Sequence, residues 1–150
     1  MMMPRCSFGL LGCAILMSAA CTSIGEVRDK SFAVDQAYES PREFVQEAAR
    51  NGLKKSGFSV EDERQVDERR TTIIGLLPAG WQSHGEWARF DIERVSDCQS
   101  KVGITNYRKV SANVTENLEA MMAVIRRNFE DQIDLLRLEH KAEIVRRCRK

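Results

Sequence analysis

The residues of this 150-residue chain with side chains suited to chemistry are five cysteines, two histidines and several carboxylate clusters, and their spacing sorts them. Cys98 and Cys148 stand well apart from the other three cysteines, Cys6, Cys13 and Cys21. A metal centre needs a compact ligand set, and none is present: His140 and Cys148 lie eight residues apart, about 12 Å along a helix. No metal and no cofactor are expected. Ser83 and His84 are neighbours, but no G-x-S-x-G elbow surrounds the serine and no orienting acid is assigned to the histidine. The acids between Glu61 and Glu68 lack the apolar surroundings that separate the pKa values of a catalytic pair, so they read as a solvated strand end and turn. Asp91 and Glu93 alternate with apolar residues and read as a wet sheet face. No catalytic set emerges, and the chain is read as a non-enzyme.

Two stretches suit binding. The segment from Pro78 to Trp87 holds both tryptophans, Trp81 and Trp87, together with His84 and two glycines, a composition fitting a sugar face or a protein hot spot. The last ten residues carry five basic groups, Arg146 and Arg147 among them, against one acid. Such a basic helical tip suits a phosphate-rich surface or an acidic partner, and equally a solvated C-terminus.

The N-terminus sets the address. Arg5 supplies the charge of an n-region, and an apolar run from Cys6 to Met17 follows, built on Phe8, Leu10, Leu11, Ile15 and Leu16. This is the layout of a secretory signal, and the run falls short of the roughly 20 residues a bilayer span requires. Small residues lead to Ser18-Ala19-Ala20-Cys21. That run resembles the lipobox of bacterial lipoproteins, which implies that residues 1–20 are removed and that Cys21 becomes an acylated N-terminus. The family prefers Leu where Ser18 stands, and Ser18 with Ala20 also satisfies an ordinary signal-peptidase site, so a soluble periplasmic protein is the alternative. Leu10-Leu11-Gly12-Cys13 has the lipobox letters but leaves too short an apolar run before it. Thr22, rather than Asp, follows Cys21, and the resemblance then implies sorting to the outer membrane, facing the periplasm.

Removing residues 1–20 leaves 130 residues, enough for one domain with a core. Arg5 goes with the signal, so 22 Lys+Arg face 22 Asp+Glu, and a balanced charge gives no footprint for nucleic acid. Of the cysteines only Cys98 and Cys148 remain beyond Cys21, a pair suited to an oxidising compartment.

The elements that must position these residues are legible in part. Residues 21–30 are short and polar and read as a tether, and Ser31 to Ala37 as a weak strand. Ser40, Pro41 and Glu43 spell a capping box, Phe44, Val45, Ala48, Ala49 and Leu53 an apolar helical face, and Gly57 a stop followed by Phe58. Phe58 and Val60 open a second strand, and Thr71 to Leu77 form a third, apolar on both faces. Trp87 to Val95 and Lys101 to Val110 pair as a hairpin with Cys98 at its tip. Asn113 caps a long helix whose stripe runs Leu118, Met121, Met122, Ile125, Phe129, Ile133, Leu136.

That stripe ends near Leu138, about where a helix lying along a ten-residue strand runs out of sheet. Residues 139–150 therefore overhang. On a straight helix Cys148 would sit about 15 Å past the sheet end, out of reach of Cys98. Either the helix breaks near residue 139 and the two cysteines bridge, or they stay free or pair between chains.

The expected fold is thus α+β: one domain over residues 31–150, with an antiparallel sheet of about four or five strands. A short N-terminal helix and a long C-terminal helix pack on one face. The expected role is that of a membrane-anchored envelope lipoprotein that binds another envelope component, a protein partner, through Trp81, His84 and Trp87 or through Arg146 and Arg147. The alternative is a periplasmic glycan- or small-ligand-binding domain using the Trp81–Trp87 loop.

Overall fold

The computed structural model describes residues 23–78, 85–108 and 116–149. The signal segment with Cys21, the loop positions Trp81, Ser83 and His84, and the cap residue Asn113 lie outside the described residues, as does the side chain of Leu118. The fold is α+β. Five strands, β1 (Gln36–Tyr38), β2 (Ser59–Gln65), β3 (Arg70–Leu77), β4 (Glu86–Ser96) and β5 (Gln99–Arg108), form one antiparallel sheet in the order β1-β5-β4-β3-β2. Strands β2 to β5 are a simple meander, and β1 adds to the free side of β5. Both edges are poor templates for further pairing: β1 has three residues, and β2 is charged and largely exposed.

Helix α2 (Arg42–Lys55) and the long α3 (Glu116–Glu139) pack on one face. Strand alternation sends Ile73, Ala88, Phe90, Ile92, Val102 and Ile104 toward them, and the α3 stripe contributes Ile125, Phe129, Ile133 and Leu136. Phe129 is the centre of this core, fully buried, with ring centroids 5.2 Å from both Tyr38 and Phe90. The helices approach closely at Gly52, where a Cβ would lie 2.9 Å from the Phe129 Cα.

Helix α2 ends as its sequence predicts. Gly57 takes φ +89°, the Phe58 N–H donates to the Leu53 carbonyl and the Gly57 N–H to that of Lys54, the paired bonds of a Schellman cap. Its start differs. Pro41, not Ser40, is the N-cap residue, and no side chain caps the helix. Ser40 is instead buried: its carbonyl accepts from the Ser100 hydroxyl at 3.1 Å, while its own Oγ has no partner. The Glu43 carboxylate that would complete the box is drawn away to Arg147.

The largest departure from expectation lies on the other face of the sheet. Residues 23–30 are no free tether. Ser23 and Glu26 form a reciprocal capping box on a short helix, α1 (Ile24–Arg28), and Val27 is fully buried. The weak strand expected from Ser31 shrinks to β1, and residues 31–35 run across the sheet instead. Consequently the Arg89/Asp91 face is covered rather than wet: Arg89 is 3% exposed and Asp91 2%. Only Glu93, half-buried beyond them, keeps part of its expected exposure.

A buried ion pair on the sheet helps to hold the N-terminal segment, beside the Arg28–Asp62 pair that joins α1 to β2 at 2.8 Å. The Asp91 carboxylate accepts from Arg89 Nε at 2.8 Å, from the Thr72 hydroxyl at 2.8 Å and from the Ala33 N–H at 3.0 Å. Arg89 Nη1 in turn donates to the carbonyls of Val27 and Lys30, both at 2.8 Å. Every bond of this buried network joins the strap to the sheet or steadies a group that does, which is the condition for a buried pair to be tolerated. Gly103 makes room: a Cβ there would fall 1.9 Å from the Ala33 carbonyl oxygen.

Candidate functional site

Helix α3 stops at Glu139. His140 departs from helical geometry (φ −107°, ψ 18°) with its ring centroid 4.9 Å from that of Phe44, and α4 (Lys141–Cys148) follows. The break brings Cys148 to Cys98, Cα to Cα 5.5 Å, and the two form a disulfide. Of the arrangements left open by the sequence, the bridged one with an interrupted helix is present. The expected overhang is therefore a docked arm, with Ile144 half-buried against the core.

Docking α4 creates an open cleft of about 430 Å³ at the β4–β5 turn end of the sheet. It is lined by Arg94 from the end of β4, Asp97 from the turn, Glu43 from the first turn of α2, and Arg146 and Arg147 from α4. Arg147 is fully engaged, bonded to Glu43 and, at 2.8 Å, to Glu143. Arg94 and Arg146 have no ion-pair partner among the described residues. The cleft thus holds one locked guanidinium, two unpaired ones and one unpaired carboxylate, Asp97.

Glu43 reports on this arm. Partial burial pushes its pKa up, but the bonds from its own backbone N–H and from Arg147 outweigh that and hold it below the usual glutamate range. A carboxylate depressed in the folded state stabilises above its unfolded pKa, and the contribution is lost as pH falls through the folded value. The Glu43–Arg147 link is therefore expected to open only as pH falls below the ordinary glutamate range. Protection factors of the α4 amides should fall as pH is lowered through and below the ordinary glutamate range; protection that stays constant there would refute the link.

The other sequence candidates are scattered. Trp87 belongs to β4 and pairs across the hairpin with Tyr107, over whose ring the Lys30 ammonium lies at 6.0 Å. Seven residues separate Trp87 from Arg94 along β4, about 23 Å, so the tryptophan end and the basic cleft occupy opposite ends of the sheet. Within the acidic run, Asp67 accepts from the N–H groups of Arg69 and Arg70 and from Arg70 Nε, which holds its pKa down. It closes its turn. Asp91 is committed to the strap. Among the described residues no three His, Cys, Asp or Glu side chains are grouped to hold a metal ion.

Sequence reasoning missed Arg94, Asp97 and Glu43 as neighbours of Arg146 and Arg147. The break at His140 was the only available signal, because the cleft exists only once α4 folds back. No protein-family model matches the chain, and comparison with curated proteins finds no significant relative.

Proposed function

We propose that this chain is an exported lipoprotein, acylated at Cys21, that serves as a non-enzymatic binding protein for another component of the bacterial envelope. The observation that carries this reading is the Cys98–Cys148 disulfide, which uses both cysteines downstream of Cys21 and suits an oxidising compartment. The lipobox resemblance at Ser18 to Cys21 supplies the anchor. The strap adds a geometric consequence. Ser23 already caps α1, and α1 is bound to the sheet through Arg89. Two residues of chain span at most about 7 Å, so an acylated Cys21 keeps the domain directly at the membrane surface instead of on a flexible leash.

A binding rather than catalytic role is favoured by the fate of the carboxylates, since Asp67, Asp91 and Glu43 are all spent on structural bonds. The cleft with Arg146 and Arg147 is the contact surface favoured for the partner, and membrane attachment is through the lipid.

The test is the intact mass of the protein extracted from native membranes. A chain beginning at Cys21 and heavier by the mass of acyl groups is expected. A chain with the same start and no added mass would make it a soluble periplasmic protein and remove the anchor.

A further inference from the structure

We propose that the cleft between β4 and α4 is a binding site for a phosphate monoester, with Arg94 and Arg146 as the direct ligands. This rests on the binding role inferred above and names the ligand class that the cleft takes.

Two guanidiniums from different elements face one concavity and neither has a carboxylate partner among the described residues. Unpaired arginines converging on a cleft are arranged for an oxyanion, because each planar fork offers paired N–H donors that match its oxygens. A dianionic phosphate monoester uses both forks. At about 430 Å³ the cleft is larger than a phosphate alone and falls in the range of small-molecule sites, so the phosphate is carried on an organic body.

The third arginine helps to fix the helix that carries Arg146. Arg147 is clamped between Glu43 on α2 and Glu143 on α4, and the Cys98–Cys148 bridge pins the end of the same helix to the β4–β5 turn. The helix that carries Arg146 is therefore fixed by two restraints beside the cleft that Arg94 also lines, and preorganisation of this kind lowers the entropy cost of binding. Asp97 opposes the ligand from the cleft wall and limits affinity for a dianion.

A phosphate monoester has two sources here, a soluble ester or an anionic lipid headgroup, and the experiment separates them. The full chain in detergent, oxidised, is titrated with glycerol 3-phosphate while the arginine Nε–H resonances are followed by NMR. A parallel titration uses bicelles containing phosphatidic acid. Saturable shifts at Arg94 and Arg146 are expected, with binding weakened at least tenfold by Arg94→Gln or by Arg146→Gln and tightened several-fold by Asp97→Asn. Reduction of the disulfide is expected to weaken binding without altering either arginine. Tighter binding to the bicelles than to the soluble ester assigns the headgroup as source; the reverse order assigns the soluble ester.

Shifts that grow linearly and are matched by sodium chloride of equal ionic strength would overturn the site. So would an affinity unchanged in the Arg94→Gln/Arg146→Gln double variant. Neither result depends on the mass of the N-terminus, so failure of the site and failure of the anchor are read separately.

Discussion

Asp91→Ala is expected to destabilise the domain by about 3–5 kcal/mol, as removing one partner of a buried ion pair does. The substitution leaves the Arg89 guanidinium 3% exposed and without its counter-charge, and it orphans the Thr72 hydroxyl and the Ala33 N–H in the same step. The expected consequence is detachment of residues 23–35 from the sheet, with a fall in melting temperature on the order of 10–20 °C. Removing both charges tests the cause. An Arg89→Met/Asp91→Leu variant is expected to recover part of the loss, because the cost lies in the unpaired buried charge and not in the missing attraction. Thermal melts of the two variants, with amide exchange at Val27 to Val34, decide it. A loss under about 1 kcal/mol in Asp91→Ala would mean that the strap is held by something other than this pair.

The second large effect follows from opening the disulfide. Cys98 and Cys148 are 50 positions apart, and the chain-entropy estimate for a loop of that size is about 4 kcal/mol. Native bridges in small domains deliver about 2–5 kcal/mol, so a Cys98→Ser/Cys148→Ser variant is expected to lose an amount within that range. Cys148 is exposed, so added reductant should reach the bond and reproduce the variant. The loss also has a location. Without the bridge α4 is left, among the described residues, with the Glu43–Arg147 link, the half-buried Ile144 and the His140 ring on Phe44 at its N-cap, and a helix of eight residues does not persist on its own. Denaturant unfolding with and without reductant measures the total, and amide exchange over residues 141–148 places it. An unchanged midpoint would show that α4 is held by its side chains alone.

Much of the core was legible because it is written in periodicity. Val45, Ala49 and Leu53 on α2, and Ile125, Phe129, Ile133 and Leu136 on α3, repeat at helical spacing and are buried as that spacing requires. Ala88, Phe90, Ile92, Val102 and Ile104 alternate and face the helices. Even the end of the α3 stripe was readable from length alone, and the helix breaks within two residues of Leu138.

Alternation misled at Arg89 and Asp91. It shows that two faces of a strand differ, and a polar face is then assigned to water by default. What bonds Arg89 and Asp91 from the strap is backbone, the carbonyls of Val27 and Lys30 and the N–H of Ala33, and backbone groups leave no trace in residue types. One trace was present and went unread: Ser23-Ile24-Gly25-Glu26 has the S-x-x-E spacing of a capping box, which marks a helix where a tether was expected. The opposite error occurred at Ser40, whose capping-box letters were genuine but lost to competition. Ser100 holds its carbonyl and Arg147 takes Glu43, both contacts between residues at least 60 positions apart.

The sequence by itself determined the α+β class, the strands of the meander and the faces of the two larger helices, all of which depend on local spacing. The fate of Cys98 and Cys148 stayed open until the break at His140 was seen. Only the tertiary structure decided that the N-terminal segment straps the second face of the sheet, that α4 folds back, and that Arg94 and Arg146 line one cleft. The strap rests on buried polar contacts whose strength comes from exclusion of water by the assembled fold, and the fold-back of α4 on a disulfide and an ion pair between distant positions; no local pattern encodes either.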